Sequence, residues 1–181
     1  DFDDLTASSD EIHEIRLIGG EPFMNKDIYK MIAYVAASPK VGRLVIYSNA
    51  TIPLREDELE TMRHPKVVFS LTDYGSLSKN TDGVEAFLKK HEIPYRRHLP
   101  EKWTDSGTIE ESDKTEGELK TLFNECCGKN LFTVSDGKLY RCPFAANADR
   151  LRAVPPDPRN GVSLKADHAA IRSYIYDIEY L

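Results

Sequence analysis

Two short stretches of the sequence combine residue types that could do chemistry, and the first is Gly19-Gly20-Glu21-Pro22, which follows a short apolar run. Two glycines remove Cβ atoms and let a ligand come close to the backbone, while Pro22 stiffens the chain that leaves the loop. Glu21 adds a fixed acceptor that suits an ammonium group. The alternative is a tight strand-to-helix turn, with the Glu21 carboxylate favoured near the N-terminus of the next helix.

The second stretch contains all three cysteines of the chain, Cys126, Cys127 and Cys142. Between them, Asp136-Gly137 suits a turn that needs positive φ, so we predict a hairpin that brings Cys142 back towards Cys127. The two thiols could then share a metal. One alternative is that the thiols are buried and act as small hydrophobic side chains. Another is a structural zinc site at the cysteines with a histidine such as His168.

Composition limits the class of protein to which the chain can belong. With 181 residues, of which 40% are hydrophobic, the chain can bury one sizeable core. Its net charge of -6 gives no overall attraction to nucleic acid or to an anionic membrane. No apolar run approaches the roughly 18 to 20 residues that span a bilayer. From the charge and the short apolar runs, we expect no nucleic-acid or membrane partner. Because three cysteines are a poor disulfide framework, we also expect a cytoplasmic protein.

Strands and helices that alternate along the chain must position these residues. Apolar, β-branched runs predict strands at Ile15–Ile18, Arg43–Tyr47, Val67–Leu71 and Tyr95–Leu99. Strands that are each linked by one helix indicate right-handed crossovers and a parallel sheet. The predicted linking helices are, in order, the segment with Ile28, Met31, Ile32 and Val35, a segment that begins at Pro53, and the segment with Val84, Phe87 and Leu88.

Ligands of parallel α/β sheets collect at the carboxyl ends of the strands. The loop Gly19–Pro22 lies at such an end, and small or polar side chains follow the next two strands. We therefore expect these three strand ends to form one binding edge. The polar residues that join the glycine loop there are Ser48, Asn49, Ser70, Thr72 and Asp73.

The motifs at these strand ends closely resemble those of the radical S-adenosylmethionine (SAM) superfamily. L-I-G-G-E-P-F ends the first strand, V-I-Y-S-N-A the second and V-F-S-L-T-D the third. The resemblance implies a partial (β/α)6 TIM-like barrel in which the loop after the second barrel strand receives the amino group of SAM. By this resemblance Gly19, Gly20, Glu21 and Pro22 bind that amino group. Contacts to the carboxylate and ribose of SAM are implied for Ser48, Asn49, Ser70 and Thr72.

The chain departs from the superfamily pattern in its cysteines. The chemistry of the superfamily depends on a C-x-x-x-C-x-x-C loop that binds a [4Fe-4S] cluster, and this sequence contains no such motif. We therefore expect the first βα unit to lie before Asp1, and this chain alone to be inactive. The intact enzyme is expected to cleave SAM reductively to a 5′-deoxyadenosyl radical that modifies an unknown small-molecule or peptide substrate. An electron donor such as flavodoxin or ferredoxin is implied.

The cysteine stretch carries a second resemblance. Nine residues separate Cys127 from Gly137, and four separate Gly137 from Cys142. This spacing resembles the C-x(9–15)-G-x4-C element of SPASM and twitch subdomains, which bind auxiliary iron–sulfur clusters. The resemblance implies that Cys127 and Cys142 are cluster ligands, with Cys126 as a packing residue or a substitute ligand. Because a [4Fe-4S] site normally has four thiolate ligands, we expect further ligands beyond Leu181 and truncation at both ends.

The resemblances predict two domains and leave one competing class of protein. Residues 1–118 would form the SAM-binding part of the barrel, and residues 119–181 a twitch-like element with a hairpin and a terminal helix. Trp103 could line a substrate pocket, although a lone tryptophan more often covers the edge of a core. Arg96-Arg97 could meet an acidic or phosphorylated substrate, although a solvated pair is the commoner case. The competing class is a non-catalytic βα scaffold that has lost its cluster and serves in binding or regulation.

Overall fold

Helices and strands alternate from α1 to β5 in the computed structural model, which describes residues 1–101, 108–110 and 113–177. Trp103 lies outside the described residues. The helices are α1 (Phe2–Ser8), α2 (Ile28–Ala37), α3 (Leu59–Met62), α4 (Thr81–Lys90), α5 (Glu116–Glu125), α6 (Pro143–Arg150) and α7 (His168–Tyr176). The strands are β1 (Ile12–Leu17), β2 (Val41–Ser48), β3 (Val67–Thr72), β4 (Tyr95–His98), β5 (Thr133–Ser135), β6 (Lys138–Tyr140) and β7 (Gly161–Ser163).

The chain divides into two compact units, and each has its own sheet. The first unit holds the described residues of Asp10–Lys102. The second holds those of Asp1–Ser9 and Trp103–Leu181. Within the described ranges, no helix combines the length and the apolar composition needed to cross a membrane.

A four-stranded parallel sheet forms the first unit. Strands β1 to β4 are neighbours in chain order, and α2, α3 and α4 lie in the connections between them. This order is typical of consecutive βα units, so the predicted α/β class and parallel sheet are confirmed. The sheet is compatible with a partial TIM-like barrel. The six-unit barrel and the absence of its first unit stay predictions.

The two faces of this sheet differ in polarity because alternate residues of a strand point to opposite sides. Leu44, Ile46, Phe69 and Leu71 lie on one face and are 0% exposed. Full burial of such a side chain contributes about 1.5–3 kcal/mol to stability. The strand registers place a group of polar side chains on the other face. We call this the polar face, and it carries Glu14, Arg16, Arg43, Tyr47, Ser70, Thr72, Arg96 and His98.

The second linking helix begins later than Pro53, where the sequence predicts it. A 3-10 turn at Glu56–Glu58 leads into α3. The backbone N–H of Arg55 donates to the Tyr29 hydroxyl at 3.1 Å, which ties the preceding segment to α2 in a non-helical conformation. The first helical turn therefore begins only after Arg55, the residue that makes this tertiary contact.

The second unit combines the N-terminal helix with the C-terminal elements. Leu5 of α1 packs against a buried core of Leu139, Leu164 and Ile171. Strands β5, β6 and β7 form an antiparallel sheet in chain order. Asp136-Gly137 connects β5 to β6, with φ angles of 51° and 74°. The sequence patterns did not indicate that α1 belongs with these elements, and the domain boundary after residue 118 stays a prediction.

Arg97 links β4 to α4 and to the loop after β3. Its guanidinium group lies 2.6 Å from carboxylate oxygens of both Asp73 and Glu85, and 3.0 Å from Asp82. The hydrogen bond from Arg97, followed by those from Lys89 and Tyr95, lowers the pKa of Glu85 to about 2. The pKa of Asp73 is lowered mainly by its hydrogen bond with Arg97. These carboxyl groups are therefore held in their charged form well into acid.

We expect the Arg97 network to make the stability of the first unit depend on pH. The folded pKa of Glu85, about 2, lies below its usual 4.5, so its stabilising contribution is present above pH 4.5 and is lost as the pH falls towards about 2. Arg97→Gln should therefore lower the melting temperature clearly near neutral pH and much less in strong acid. Circular dichroism melts across that range measure the difference.

Arg63→Gln is the matched control for this prediction. Arg63 pairs only loosely with Glu60, at 3.9 Å, and the Glu60 side chain is 92% exposed. We expect this variant to follow the pH dependence of the wild type. A melting-temperature difference for Arg97→Gln that stays constant with pH would contradict the prediction.

Candidate functional site

The loop after β1 is organised around the buried side chain of Glu21, which is 7% exposed. Its carboxylate accepts hydrogen bonds from the backbone N–H of Phe23 at 3.1 Å and of Asn49 at 2.8 Å. The Ser48 hydroxyl lies 3.0 Å from both carboxylate oxygens. Glu21 also caps the 3-10 turn Pro22–Met24, the local role that the sequence allowed as an alternative. The carboxylate thus anchors this loop to the end of β2.

Gly19 and Gly20 leave the backbone of the same loop open. A Cβ atom at either position would meet no other atom within 4 Å. Gly19 has a φ of 155°, which side chains rarely tolerate, whereas Gly20 needs no special backbone conformation. A ligand can therefore contact this backbone directly.

Further hydrogen bonds tie the end of β2 both to the loop after β1 and to the start of α4. The side-chain amide of Asn49 donates to the Gly20 carbonyl at 3.1 Å. Ala50 is fully buried and has a left-handed φ of 54°, a conformation that costs a non-glycine residue about 1–3 kcal/mol. Its N–H donates to the Ser48 hydroxyl and its carbonyl accepts from the Asn80 N–H, each at 3.0 Å. The surrounding hydrogen bonds hold Ala50 in this conformation.

Ser70 and Thr72 lie on the polar face and have different partners. Ser70 is 0% exposed, and its hydroxyl accepts from Nε of Arg96 at 3.0 Å. The Thr72 hydroxyl lies 3.1 Å from Nε2 of His98. Of the residues predicted to bind SAM, the structure joins Gly20, Glu21, Ser48 and Asn49 through hydrogen bonds, and Pro22 is buried beside them.

Cys126 and Cys142 both lie beside Gly128. A Cβ atom at Gly128 would lie 3.6 Å from Sγ of Cys126 and 3.6 Å from Cβ of Cys142. Sγ of Cys126 accepts from the Gly128 N–H at 3.3 Å, and Sγ of Cys142 accepts from the Ala145 N–H at 3.4 Å. The Cys127 side chain is exposed. The assignment of Cys127 as a cluster ligand stays a prediction.

The thiols do not form a complete metal site among the residues that the structure describes. No three His, Cys, Asp or Glu side chains in those ranges are grouped so that they could hold a metal ion. All three cysteines are free. Nε2 of His168, the histidine named for a zinc site, lies 3.9 Å from a carboxylate oxygen of Asp4. A [4Fe-4S] cluster at Cys126 and Cys142 would therefore need ligands from outside these residues.

Tyr47 and Ala50 are residues near the strand ends that the motifs did not single out. Tyr47 could have been found from the period of two along β2, which places it on the same face as Arg43. The left-handed conformation of Ala50 has no signal in the residue type, because alanine rarely adopts it.

Comparison with known proteins gives one partial similarity. No protein-family model matches the sequence. The chain is 33% identical over 66 residues to the GTP 3′,8-cyclase of Syntrophomonas wolfei subsp. wolfei. The match covers 36% of this chain and 20% of that protein, so the chain spans about a fifth of the length of this curated relative.

Glu21→Gln should destabilise the first unit by about 1.5–3 kcal/mol, the usual range for hydrogen bonds to a charged group. The amide has only one acceptor oxygen, and its NH2 group would face a backbone N–H. Urea unfolding followed by circular dichroism measures the loss. The control is Glu60→Gln, whose exposed side chain should change stability by less than about 0.5 kcal/mol. If both variants lose equally little, Glu21 does not anchor the loop.

The three cysteines should differ in their reactivity towards iodoacetamide in the native chain. Cys127 is exposed, whereas Cys126 and Cys142 are partly buried and each accepts a backbone hydrogen bond. Access controls such reactions, so Cys127 should be alkylated several-fold faster than the other two. Mass spectrometry of quenched time points measures each rate, and urea should make the rates converge. Equal rates in the native chain would rule out this arrangement.

Proposed function

We propose that this chain is the SAM-binding part of a radical SAM enzyme. The observation that carries the proposal is the open backbone of Gly19 and Gly20, held at the carboxyl end of a parallel sheet by the buried Glu21 carboxylate. Ligands of such sheets bind at this end. The similarity over 66 residues to a GTP 3′,8-cyclase, a radical SAM enzyme, supports the superfamily.

Within this proposal, the glycine backbone makes the close contact with the methionine end of SAM. Glu21 acts mainly by position, because its two oxygens already accept hydrogen bonds from Phe23, Ser48 and Asn49. Its negative charge still lies beside the loop and attracts an ammonium group across a short distance. Ser48 and Asn49 fix the loop, and Asn49 does so by donating to the Gly20 carbonyl.

Contacts of Ser70 and Thr72 with the carboxylate and ribose of SAM remain part of the proposal. Both hydroxyls have partners on the polar face, Arg96 and His98, so a ligand would meet these side chains as pairs. The [4Fe-4S] cluster of the superfamily supplies the electron for SAM cleavage, and this sequence lacks the C-x-x-x-C-x-x-C motif that binds it. The residues of this chain would bind and orient SAM, while the cofactors carry the difficult chemistry.

The proposal includes a twitch-like auxiliary iron–sulfur site in the second unit. Cys142 and a thiol of the Cys126-Cys127 pair would supply ligands, and the position of both Cys126 and Cys142 beside Gly128 is compatible with Cys126 as the member of that pair. An unknown small-molecule or peptide substrate, an electron donor such as flavodoxin or ferredoxin, and a cytoplasmic location complete the proposal.

Titration of the 15N-labelled chain with SAM tests the binding loop. We expect saturable shifts of the amide signals of Gly19, Gly20 and Asn49. Gly20→Val should weaken binding by at least about tenfold, or about 1.4 kcal/mol, because the new side chain fills the space that the ligand needs. The fold should be retained, since a Cβ atom at Gly20 meets no protein atom within 4 Å.

Gly117→Val is the matched control, because Gly117 is equally open but lies in α5 of the second unit. It should leave the dissociation constant for SAM unchanged. No shift at the Gly19–Pro22 loop at saturating SAM, or an equal affinity for the Gly20→Val protein, would contradict the proposal.

A further inference from the structure

The polar face of the first unit carries more positive than negative charge, although the whole chain has a net charge of -6. Its permanently charged side chains are those of Arg16, Arg43, Arg96 and Glu14. Among the described strand residues, three arginines therefore share this face with one carboxylate. A local excess of positive charge on an acidic protein favours an anionic ligand at that face.

The single carboxylate is already used by two of the three arginines. Glu14 accepts from Nε of Arg16 at 2.6 Å and from Nε of Arg43 at 2.8 Å. Burial alone would raise the pKa of Glu14, but the hydrogen bonds from Arg16 and Arg43 outweigh this effect and lower the pKa. The Glu14 carboxylate is therefore kept in its charged form. Among the residues that the structure describes, the arginine of this face without a carboxylate partner is therefore Arg96.

Arg96 is held by neutral groups alone among the described residues. Its Nε donates to the fully buried Ser70 hydroxyl at 3.0 Å, and its Nη2 donates to the Tyr47 hydroxyl at 3.1 Å. The structure gives its Nη1 no protein partner in the described ranges. The neighbouring Arg97 points to the opposite face, where Asp73, Asp82 and Glu85 neutralise it. The two adjacent arginines thus have opposite electrostatic surroundings.

The position of the Arg96 guanidinium is fixed before any ligand arrives. Its Cζ lies 5.9 Å from the centre of the Tyr47 ring, and Cζ of Arg16 lies 5.9 Å from the same centre. Two guanidinium groups therefore approach one aromatic ring. A planar fork that is already held in place loses little conformational freedom when it binds a carboxylate or phosphate.

A second unsatisfied group lies on the same face, two positions further along β4. Nδ1 of His98 is buried and has no hydrogen-bond partner among the described residues, while Nε2 of His98 is paired with Thr72. Buried polar atoms without a partner are rare in folded proteins, and a bound ligand or water is a common explanation. The orphan nitrogen is an observation independent of the charge on Arg96.

We propose that the polar face binds the oxyanion group, carboxylate or phosphate, of a second ligand through the free N–H groups of Arg96. Tyr47 and Ser70 position the guanidinium, and Arg16 adds positive charge from the other contact on the Tyr47 ring. This inference deepens the proposed function, because it assigns the ligand of the polar face as an anionic substrate, and that assignment rests on the proposed function. The anion site itself does not.

The test titrates the full 181-residue chain with inorganic phosphate and, separately, with acetate, in the absence of SAM. The Nε–H signals of 15N-labelled arginines report binding at each guanidinium. We expect a saturable shift of the Arg96 signal with at least one of the two anions. Tighter binding of phosphate indicates a phosphorylated ligand, and tighter binding of acetate indicates a carboxylate ligand. Either result supports the anion site, and the comparison shows which kind of oxyanion it prefers.

Three variants make the test specific to Arg96. Arg96→Gln should weaken anion binding by at least about tenfold, because the charged fork is lost. Arg96→Lys keeps the charge without the fork and should give an intermediate affinity. Arg43→Gln also removes one positive charge from the polar face, but it leaves the Arg96 guanidinium in place. It should therefore change the affinity by less than about twofold. Thermal melts confirm that each variant is folded.

The inference is overturned if neither anion gives a saturable shift at Arg96. It is also overturned if Arg43→Gln weakens binding as much as Arg96→Gln, since the effect would then be general electrostatic attraction. Because the titration contains no SAM, it can fail while SAM still binds at the Gly19–Pro22 loop. Loss of SAM binding with a retained anion site would refute only the proposed function.

Discussion

The binding edge of the first unit depends on the buried carboxylate of Glu21. A charged group that leaves water must be matched by hydrogen-bond donors, and here they come from Phe23, Ser48 and Asn49. Two of these residues belong to the end of β2, so the loop after β1 cannot shift without breaking bonds to the neighbouring strand. The open backbone of Gly19 and Gly20 is consequently presented by a fixed support.

The same sheet separates two electrostatic environments on adjacent residues. Arg97 faces the helices and is surrounded by acidic side chains. Arg96 faces the opposite side, where its partners within the described part of the chain are hydroxyl groups. The alternation of a strand is sufficient to produce this difference. The ion pairs of Arg97 therefore stabilise the fold on one face. On the polar face, the charge of Arg96 has no carboxylate partner among the described residues and lies on the same face as the Thr72 and His98 pair.

Hydrophobic periodicity predicted the four parallel strands and the helices α2 and α4, because that signal is local and each element is amphipathic or buried. It could not show that Glu21 points inward, since this depends on where Ser48 lies after folding. Spacing favoured Cys127 over Cys126 as a ligand, and this assignment stays a prediction because spacing does not give the direction of a side chain. The packing of Leu5 on Leu139 and Ile171 joins distant parts of the chain, and no local pattern contains that information.

The packing of α1 on the C-terminal elements has a consequence for biosynthesis. Lys165 donates a hydrogen bond to Asp4, 161 positions away in the sequence. The second unit is therefore built from one segment that precedes the first unit in the sequence and one that follows it. During translation the parallel sheet can form as soon as β4 has left the ribosome. Helix α1 is synthesised before the parallel sheet but lacks its packing partners until α7 emerges, so it can complete its folding only after the sheet has formed.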